Sequence, residues 1–154
     1  MKEDSSPFAD FGCACATARQ VARVLTQFYD GKMRDSGVEP PQFGLLVAIE
    51  RGASTQVALV RHFALDKTTV SRNLKLLESH GLIELASVGV ASIKDRRTRR
   101  FVLTAKGRDH LARAKPKWKE AQHQLRSAMT ADQWDAMFAT FRTVVQAARS
   151  LEKD

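Results

Sequence analysis

Apolar residues recur at intervals of three and four along most of the chain, which predicts a mainly helical protein. A first helix is predicted from Ala16 to about Arg34, and Gly37 follows its end. A second helix is expected to begin at Pro41, because proline suits the first turn of a helix. Its apolar residues are dense from Phe43 onward, so we expect this helix to be largely buried.

Two shorter helices follow, and each is preceded by a residue that can cap it. Ser54 or Thr55 can cap the third helix, and Asp66 is a good cap for a fourth helix that runs to about His80. Gly81 can adopt the left-handed conformation that ends such a helix. One stripe of the fourth helix is apolar, and its remaining faces carry hydroxyl-bearing and basic side chains.

The periodicity changes after the fourth helix, and the pattern becomes that of short strands. Strands are expected at residues 82–86 and 100–103, with a basic loop over residues 87–99 between them. This segment is therefore predicted to form a β-hairpin with a long basic tip.

Two more helices complete the predicted elements. Thr104 can cap a long fifth helix, and Pro116 should either kink that helix or mark a join between two helices.

The last helix is expected to start near Thr130 or Ala131 and has a wide apolar stripe. We expect this stripe to pack against a second copy of the chain; the alternative is that it folds back onto its own core. The stripe comprises Trp134, Met137, Phe138, Phe141, Val144, Val145, Ala148 and Leu151.

The composition is that of an ordinary soluble globular protein. The chain has 154 residues, of which 44% are hydrophobic and 27% are charged, and this length favours one domain with an added dimerisation element. No apolar run approaches the ~20 residues that cross a bilayer, and the first ten residues do not form a secretory signal. We therefore expect a cytoplasmic protein without a membrane partner.

The positive charge is concentrated in the middle of the chain. The net charge is +8, and residues 61–113 alone contain 12 basic and 5 acidic side chains. Evenly spread lysines would indicate that the charge mainly keeps the protein soluble. A concentrated block favours a surface that binds a polyanion, most often nucleic acid.

The order of elements in this block is that of a helix-turn-helix followed by a wing. An α-helix fits the major groove, and side chains near its N-terminus reach the edges of the bases. An amphipathic helix or a basic loop alone is usually a solvated surface, but the two in this order favour DNA binding. The residues expected to contact DNA from the helices are Thr55, Thr68, Thr69, Ser71, Arg72 and Lys75.

The predicted hairpin tip adds a second group of cations. An arginine at such a tip can enter the adjacent minor groove, and Asp95 could hold Arg97 in that geometry through a charge-assisted pair. The tip residues expected to contact DNA are Lys94, Asp95, Arg96, Arg97 and Arg99.

Two other function classes compete with a sequence-specific regulator. A non-specific architectural nucleic-acid-binding protein would have the same charge pattern. An enzyme is not expected, because the sequence has no Gly-rich phosphate loop, nucleophile elbow or set of metal ligands. No cofactor and no metal ion is predicted.

Several separate motifs carry a resemblance to a known family. They are Thr55-Gln56, the run from Asp66 to Arg72, Gly81-Leu82-Ile83-Glu84, the Asp95-x-Arg97 pair, Pro41-Gln42-Phe43 and Pro116-x-Trp118. Over residues 15–150 the chain resembles the MarR family of winged-helix transcription regulators. Ala64 departs from the family, because the turn between the two helices often has glycine there.

The resemblance implies an architecture and a mode of DNA binding. The implied fold is mainly α, an α+β winged helix of six helices with a two-stranded β-wing. Residues 1–36 and 104–154 would form a helical dimerisation region, and residues 37–103 the winged helix-turn-helix domain. The resemblance further implies a homodimer, in most cases a repressor, that binds a pseudo-palindromic site in double-stranded DNA.

Cys13 and Cys15, at the start of the first helix, allow three interpretations. They can be small apolar residues buried at the dimer seam, or thiol sensors, since the dipole of a helix favours a thiolate at its N-terminus. A soft-metal or arsenical site is a third interpretation, although no further ligand is evident.

The resemblance bears on the input signal as well. Cys15 and Tyr29 match the positions of the reactive thiol and of one contacting tyrosine in the family's branch that senses organic hydroperoxides; Pro40 replaces a second aromatic residue of that branch. The family's usual input is a small, often aromatic, compound that binds in a cleft lined by the first, second and fifth helices. Release from DNA by a small aromatic or electrophilic effector, or by cysteine oxidation, is therefore expected.

Overall fold

The computed structural model of the protein describes residues 12–86 and 99–152. Within these ranges it contains six α-helices, a 3-10 turn at Arg34–Ser36 and two strands. The predicted mainly α fold with a two-stranded sheet is confirmed. The elements are α1 Ala14–Met33, α2 Pro40–Glu50, α3 Gln56–Phe63, α4 Lys67–Ser79, β1 Ile83–Leu85, β2 Phe101–Leu103, α5 Ala105–Ser127 and α6 Ala131–Leu151.

Helix α2 supplies much of the core, as its dense apolar sequence predicts. It begins at Pro40, one residue before the expected start, because Glu39 and Gln42 form a capping box in front of it. Gln42 Oε1 accepts a hydrogen bond from the Glu39 backbone N–H at 3.3 Å. The buried apolar residues of α2 are Phe43, Leu45, Leu46, Ala48 and Ile49.

The caps of α3 and α4 are those expected from the sequence. Thr55 Oγ1 accepts a hydrogen bond from the Ala58 N–H at 3.1 Å, and Asp66 Oδ1 accepts one from the Thr69 N–H at 2.8 Å. These side chains satisfy backbone donors that have no partner inside the helix. Gly81 follows α4 with a φ of +68°.

The two strands are shorter than predicted and pair in an antiparallel register, with Ile83 opposite Leu103. Thr104 continues the chain into α5, and its hydroxyl donates to the Gly81 carbonyl at 2.6 Å. Gly107 lies against the end of this sheet, where a Cβ atom would overlap the Leu82 carbonyl oxygen. Only glycine fits at this close approach.

Helix α5 continues through Pro116 without a break. Of the two predicted outcomes for this proline, a join between helices is therefore excluded.

The chain divides into two compact units after Trp118. In the first unit, α2, α3, α4, the sheet and the start of α5 enclose one apolar core that includes Leu46, Leu59, Leu77 and Leu111.

Helix α6 belongs to the second unit, and none of its residues is buried. The predicted apolar stripe remains accessible, with Phe141 43% and Val144 50% exposed. Among the described residues, no helix is both long enough and apolar enough to cross a membrane.

Candidate nucleic-acid interface and effector cavity

The N-terminal half of α4 borders a shallow depression of about 450 Å³. It brings together four of the predicted DNA contacts, and it also includes two residues that the prediction left out, Gln56 and Lys67. The residues lining this α4 depression are Gln56, Lys67, Thr68, Ser71, Arg72 and Lys75.

The cations of the α4 depression are free to bind an anion. In the described part of the chain, no carboxylate lies within 4.0 Å of the Lys67, Arg72 or Lys75 side chain. Arg72 and Lys75 are exposed, one turn apart on the same helix. Their charges add to the partial positive charge of the helix N-terminus, which favours phosphate at this end of α4.

Two of the residues predicted to contact DNA, Thr69 and Thr55, already make hydrogen bonds at helix caps. The Thr69 hydroxyl donates to Asp66 Oδ2 at 2.6 Å, so its proton is engaged and only its oxygen lone pairs remain for another partner. Thr55 Oγ1 caps α3, and Thr55 forms an isolated bridge with Arg100.

The same contacts define the electrostatics of the α4 cap. The Thr69 side-chain and backbone donors hold the pKa of the Asp66 carboxyl below its usual value of 3.8. Asp66 is therefore charged at neutral pH and stabilises the positive end of the α4 dipole.

The hairpin tip falls largely outside the described residues. Lys94, Asp95, Arg96 and Arg97 lie there, and their predicted DNA contacts stay predictions. Arg99 is described and exposed, and its guanidinium carbon lies 5.9 Å from the centre of the Phe101 ring.

A cavity of about 530 Å³ lies in the first unit, beside α2. It is lined by α1, α2 and α5, as the family resemblance implied, and also by α3, which had not been expected. Phe43 and Trp118 stack in its wall with ring centres 5.8 Å apart. The lining residues are Leu25, Thr26, Tyr29, Pro40, Phe43, Gly44, Val47, Ala48, Arg51, Ala53, His62, Phe63 and Trp118.

Most of this wall is apolar, and the polar groups are few. Arg51 and His62 bring a guanidinium and an imidazole ring to the cavity. The His62 ring packs edge-on against Phe63, with ring centres 4.8 Å apart. Partial burial raises the pKa of Tyr29 above its usual value of 10.0. An apolar cavity with a small number of polar groups is typical of small-molecule sites.

The two cysteines lie at the other end of α1 from the cavity. Cys13 immediately precedes α1 and Cys15 is its second residue, and both thiols are exposed. Residues 12–86 and 99–152 of one chain do not cover them. Cys15 and Tyr29 are separated by roughly 21 Å along the helix at about 1.5 Å per residue, so a thiol–phenol contact within one chain is excluded.

No metal site accompanies these thiols in the structure as described. No group of three His, Cys, Asp or Glu side chains in residues 12–86 and 99–152 is arranged to hold a metal ion.

Comparison with known proteins places these features in a family. A sequence profile of the MarR family matches residues 36–98. The M. tuberculosis transcriptional regulator MosR in complex with DNA is 33% identical, with a TM-score of 0.77 over 90% of this chain and 98% of that chain. A search of curated protein sequences gives no significant match.

Two more distant structures share the fold. The transcriptional repressor CouR, bound to a 23-mer DNA duplex, is 21% identical, with a TM-score of 0.72 over 86% of this chain and 92% of that chain. PcaV from Streptomyces coelicolor, in complex with its natural ligand, is 20% identical, with a TM-score of 0.74 over 89% and 94% of the two chains. Given the extended similarity to MosR and the profile match over the helix-turn-helix, the chain belongs to the MarR family of winged-helix, DNA-binding transcription regulators.

Proposed function

We propose that this protein is a homodimeric, sequence-specific repressor that a small effector releases from DNA. The α4 depression carries this proposal, because it combines unpaired cations with hydroxyl groups at the N-terminal half of one exposed helix. Arg72 can bond guanine through two hydrogen bonds, and Thr68 and Ser71 can bond bases or phosphates. Lys75 and Lys67 are suited to phosphate. The regulator would act where the DNA is, in the cytoplasm.

Dimerisation is supported by the exposed apolar stripe of α6. Contiguous apolar surface of this kind marks an interaction site in a soluble protein. A two-fold dimer presents two copies of α4 to DNA, and such dimers bind half-sites one helical turn apart. The proposed dimerisation region is residues 1–36 and 104–154, with the winged helix-turn-helix at residues 37–103.

A small aromatic anion is the effector that the cavity fits best. Its volume of about 530 Å³ lies within the range of roughly 300–1,000 Å³ that is typical of ligand sites. Phe43 and Trp118 offer stacking surfaces, and Arg51 can pair with a carboxylate. Because α1, α2 and α3 all line the cavity, an occupant would favour one arrangement of these helices, and hence one spacing of the two α4 helices.

Cysteine oxidation is a second proposed route to release. Both thiols are exposed near the N-terminus of α1, where a helix dipole favours a thiolate. Mild peroxide treatment with mass spectrometry of Cys13 and Cys15 would test this route alongside DNA binding. Full DNA binding by protein oxidised at Cys15 would exclude Cys15 as the switch.

In-vitro selection of binding sequences from a random duplex library tests the proposal as a whole. A sequence-specific dimer should enrich a pseudo-palindromic site. A non-specific architectural protein would enrich nothing, and its affinity would fall steeply with salt for every sequence alike.

The effector is tested on the selected duplex with benzoate-type aromatic anions as probes. We expect them to displace native protein from DNA and to have a weaker effect on Arg51→Gln, which loses the cation but keeps a similar shape. Arg61→Gln is a matched control, because Arg61 is exposed on neighbouring α3 but is not among the residues lining the cavity. Equal displacement of all three proteins would exclude Arg51 as the anion partner.

A further inference from the structure

The Gln56 side chain makes a hydrogen bond that joins α3 to α4 and is not part of the backbone bonding of either helix. It is the first residue of α3, and its side-chain Nε2 donates to the carbonyl oxygen of Lys67, the first residue of α4, at 3.1 Å. The two residues are eleven positions apart in sequence, so the bond spans α3 and the turn that follows it. The start of α3 is thereby fixed to the start of the helix that borders the α4 depression.

The residues just before Gln56 are held by the sheet. The Phe101 N–H of β2 donates to the Ser54 carbonyl at 2.8 Å, and Thr55 forms a bridge with Arg100. The same Thr55 caps α3 through Ala58. The start of α3 is thus tied to β2 on one side and, through the Gln56 amide, to α4 on the other.

We infer that Gln56 is a positioning residue that couples the sheet to α4 and thereby sets the sequence selectivity of DNA binding. The inference rests on the proposed function. Contacts with base edges need a helix held in one register, whereas attraction to phosphates tolerates small displacements. Loss of the Gln56 bond should therefore weaken binding to the preferred sequence more than binding to random DNA.

The test compares Gln56→Leu with a matched control, Gln124→Leu. Leucine fills similar space without an amide donor. Gln124 also makes a side-chain bond of 3.1 Å, to Glu120 within α5, but it lies outside the helix-turn-helix. Both variants, as full-length protein, are titrated with the selected duplex and with a random-sequence duplex of equal length.

We expect Gln56→Leu to lose roughly 3- to 10-fold in affinity for the selected duplex, the range for one hydrogen bond, with a clearly smaller loss for random DNA. Gln124→Leu should bind both duplexes as the native protein does. An unchanged ratio of the two affinities in Gln56→Leu would overturn the inference, and so would an equal loss on both duplexes, which indicates only a less stable fold.

Amide hydrogen exchange of the DNA-free protein separates this inference from the proposed function. Peptides covering the start of α4 should exchange faster in Gln56→Leu, while peptides from α6 should exchange as in the native protein. Unchanged exchange in α4 would refute the positioning role whatever the DNA results. If native protein does not discriminate between the duplexes, the proposed function fails, and with it the selectivity that the inference assigns to Gln56.

Discussion

Ala64 occupies a backbone conformation that suits glycine better than alanine. It ends α3 with a φ of +50°, and it is the one non-glycine residue with a positive φ in the described residues. An L-residue in this region has its Cβ close to the following carbonyl oxygen. Alanine at this turn departs from the family pattern, and its positive φ is a strained conformation for a residue with a Cβ atom.

Ala64→Gly should therefore stabilise the protein by about 1 kcal/mol, because the relief of strain exceeds the entropy that glycine adds to the unfolded chain. Chemical denaturation gives the change in the free energy of unfolding. Ala112→Gly, at an exposed position inside α5, is the control and should destabilise by about 1 kcal/mol. Equal destabilisation by both substitutions would show that Ala64 is not strained.

Arg72 is the side chain of the α4 depression that is best suited to reading a base. Arg72→Ala should lower affinity for the preferred sequence by about 1–3 kcal/mol and relax the preference at one position. Arg97→Ala, at the predicted hairpin tip, should instead weaken binding to all sequences. Fluorescence anisotropy with single-base variants of the selected duplex measures both effects. A uniform loss across all duplexes for Arg72→Ala would show that it contacts phosphate only.

At the level of elements, the cap of α4 links stability to pH. The pKa of Asp66 is lowered because its charged form accepts hydrogen bonds from Thr69. A carboxyl with a lowered folded pKa stabilises the fold above its unfolded value of 3.8, and this contribution is lost as the pH falls through the folded pKa.

Asp66→Asn keeps a side-chain acceptor but cannot titrate. We expect its Tm to lie below that of the native protein at neutral pH, with the gap closing as the pH falls below 3.8. Thermal unfolding followed by circular dichroism across this range measures the gap. A gap that stays constant with pH would contradict the assigned role of the Asp66 charge.

The elements were largely predictable because their signals are local. Thr55, Asp66 and Thr104 are each predicted as possible caps, and each accepts a hydrogen bond from a backbone N–H in the first turn of the expected helix. The family architecture followed from motifs of the same local kind. The capping box that starts α2 at Pro40 was missed, although Glu39 and Gln42 have the spacing of that motif.

The parts of the site that depend on tertiary packing were not predictable. The Gln56–Lys67 bond joins a side chain to a backbone carbonyl across a turn, and such a contact leaves no periodicity in the sequence. Arg51 and His62 line the same cavity because the fold brings the end of α2 and the side of α3 to it. No local pattern distinguishes them from other polar residues at a helix end or on a helix surface.

At the level of the whole molecule, the exposed stripe of α6 predicts that one chain is not the functional unit. Phe141→Glu should favour the monomer, because a charge within an apolar interface is costly to desolvate. Gln146→Glu introduces the same charge on the other side of α6 and should leave the dimer intact. Analytical ultracentrifugation over a range of concentrations distinguishes them, and an unchanged dimer in Phe141→Glu would place the interface elsewhere.

The charge distribution and the fold assign the proposed DNA binding and the proposed signal reception to different parts of the molecule. The block of net charge +7 at residues 61–113 contains α4 and the sheet, which are proposed to hold DNA. The terminal helices carry the apolar stripe and the thiols, and α1 and α5 also contribute to the cavity. In the proposed mechanism the effector acts on the spacing of two α4 helices and not on their contact residues.

The most direct test of this mechanism is the affinity for a selected duplex in which the two half-sites are moved apart by half a helical turn. We predict that two chains bind the original duplex, and that affinity for the altered duplex falls to the level of random DNA, because the two α4 helices can no longer enter the groove on one face. Undiminished affinity for the altered duplex would contradict a dimer that reads two half-sites at a fixed spacing.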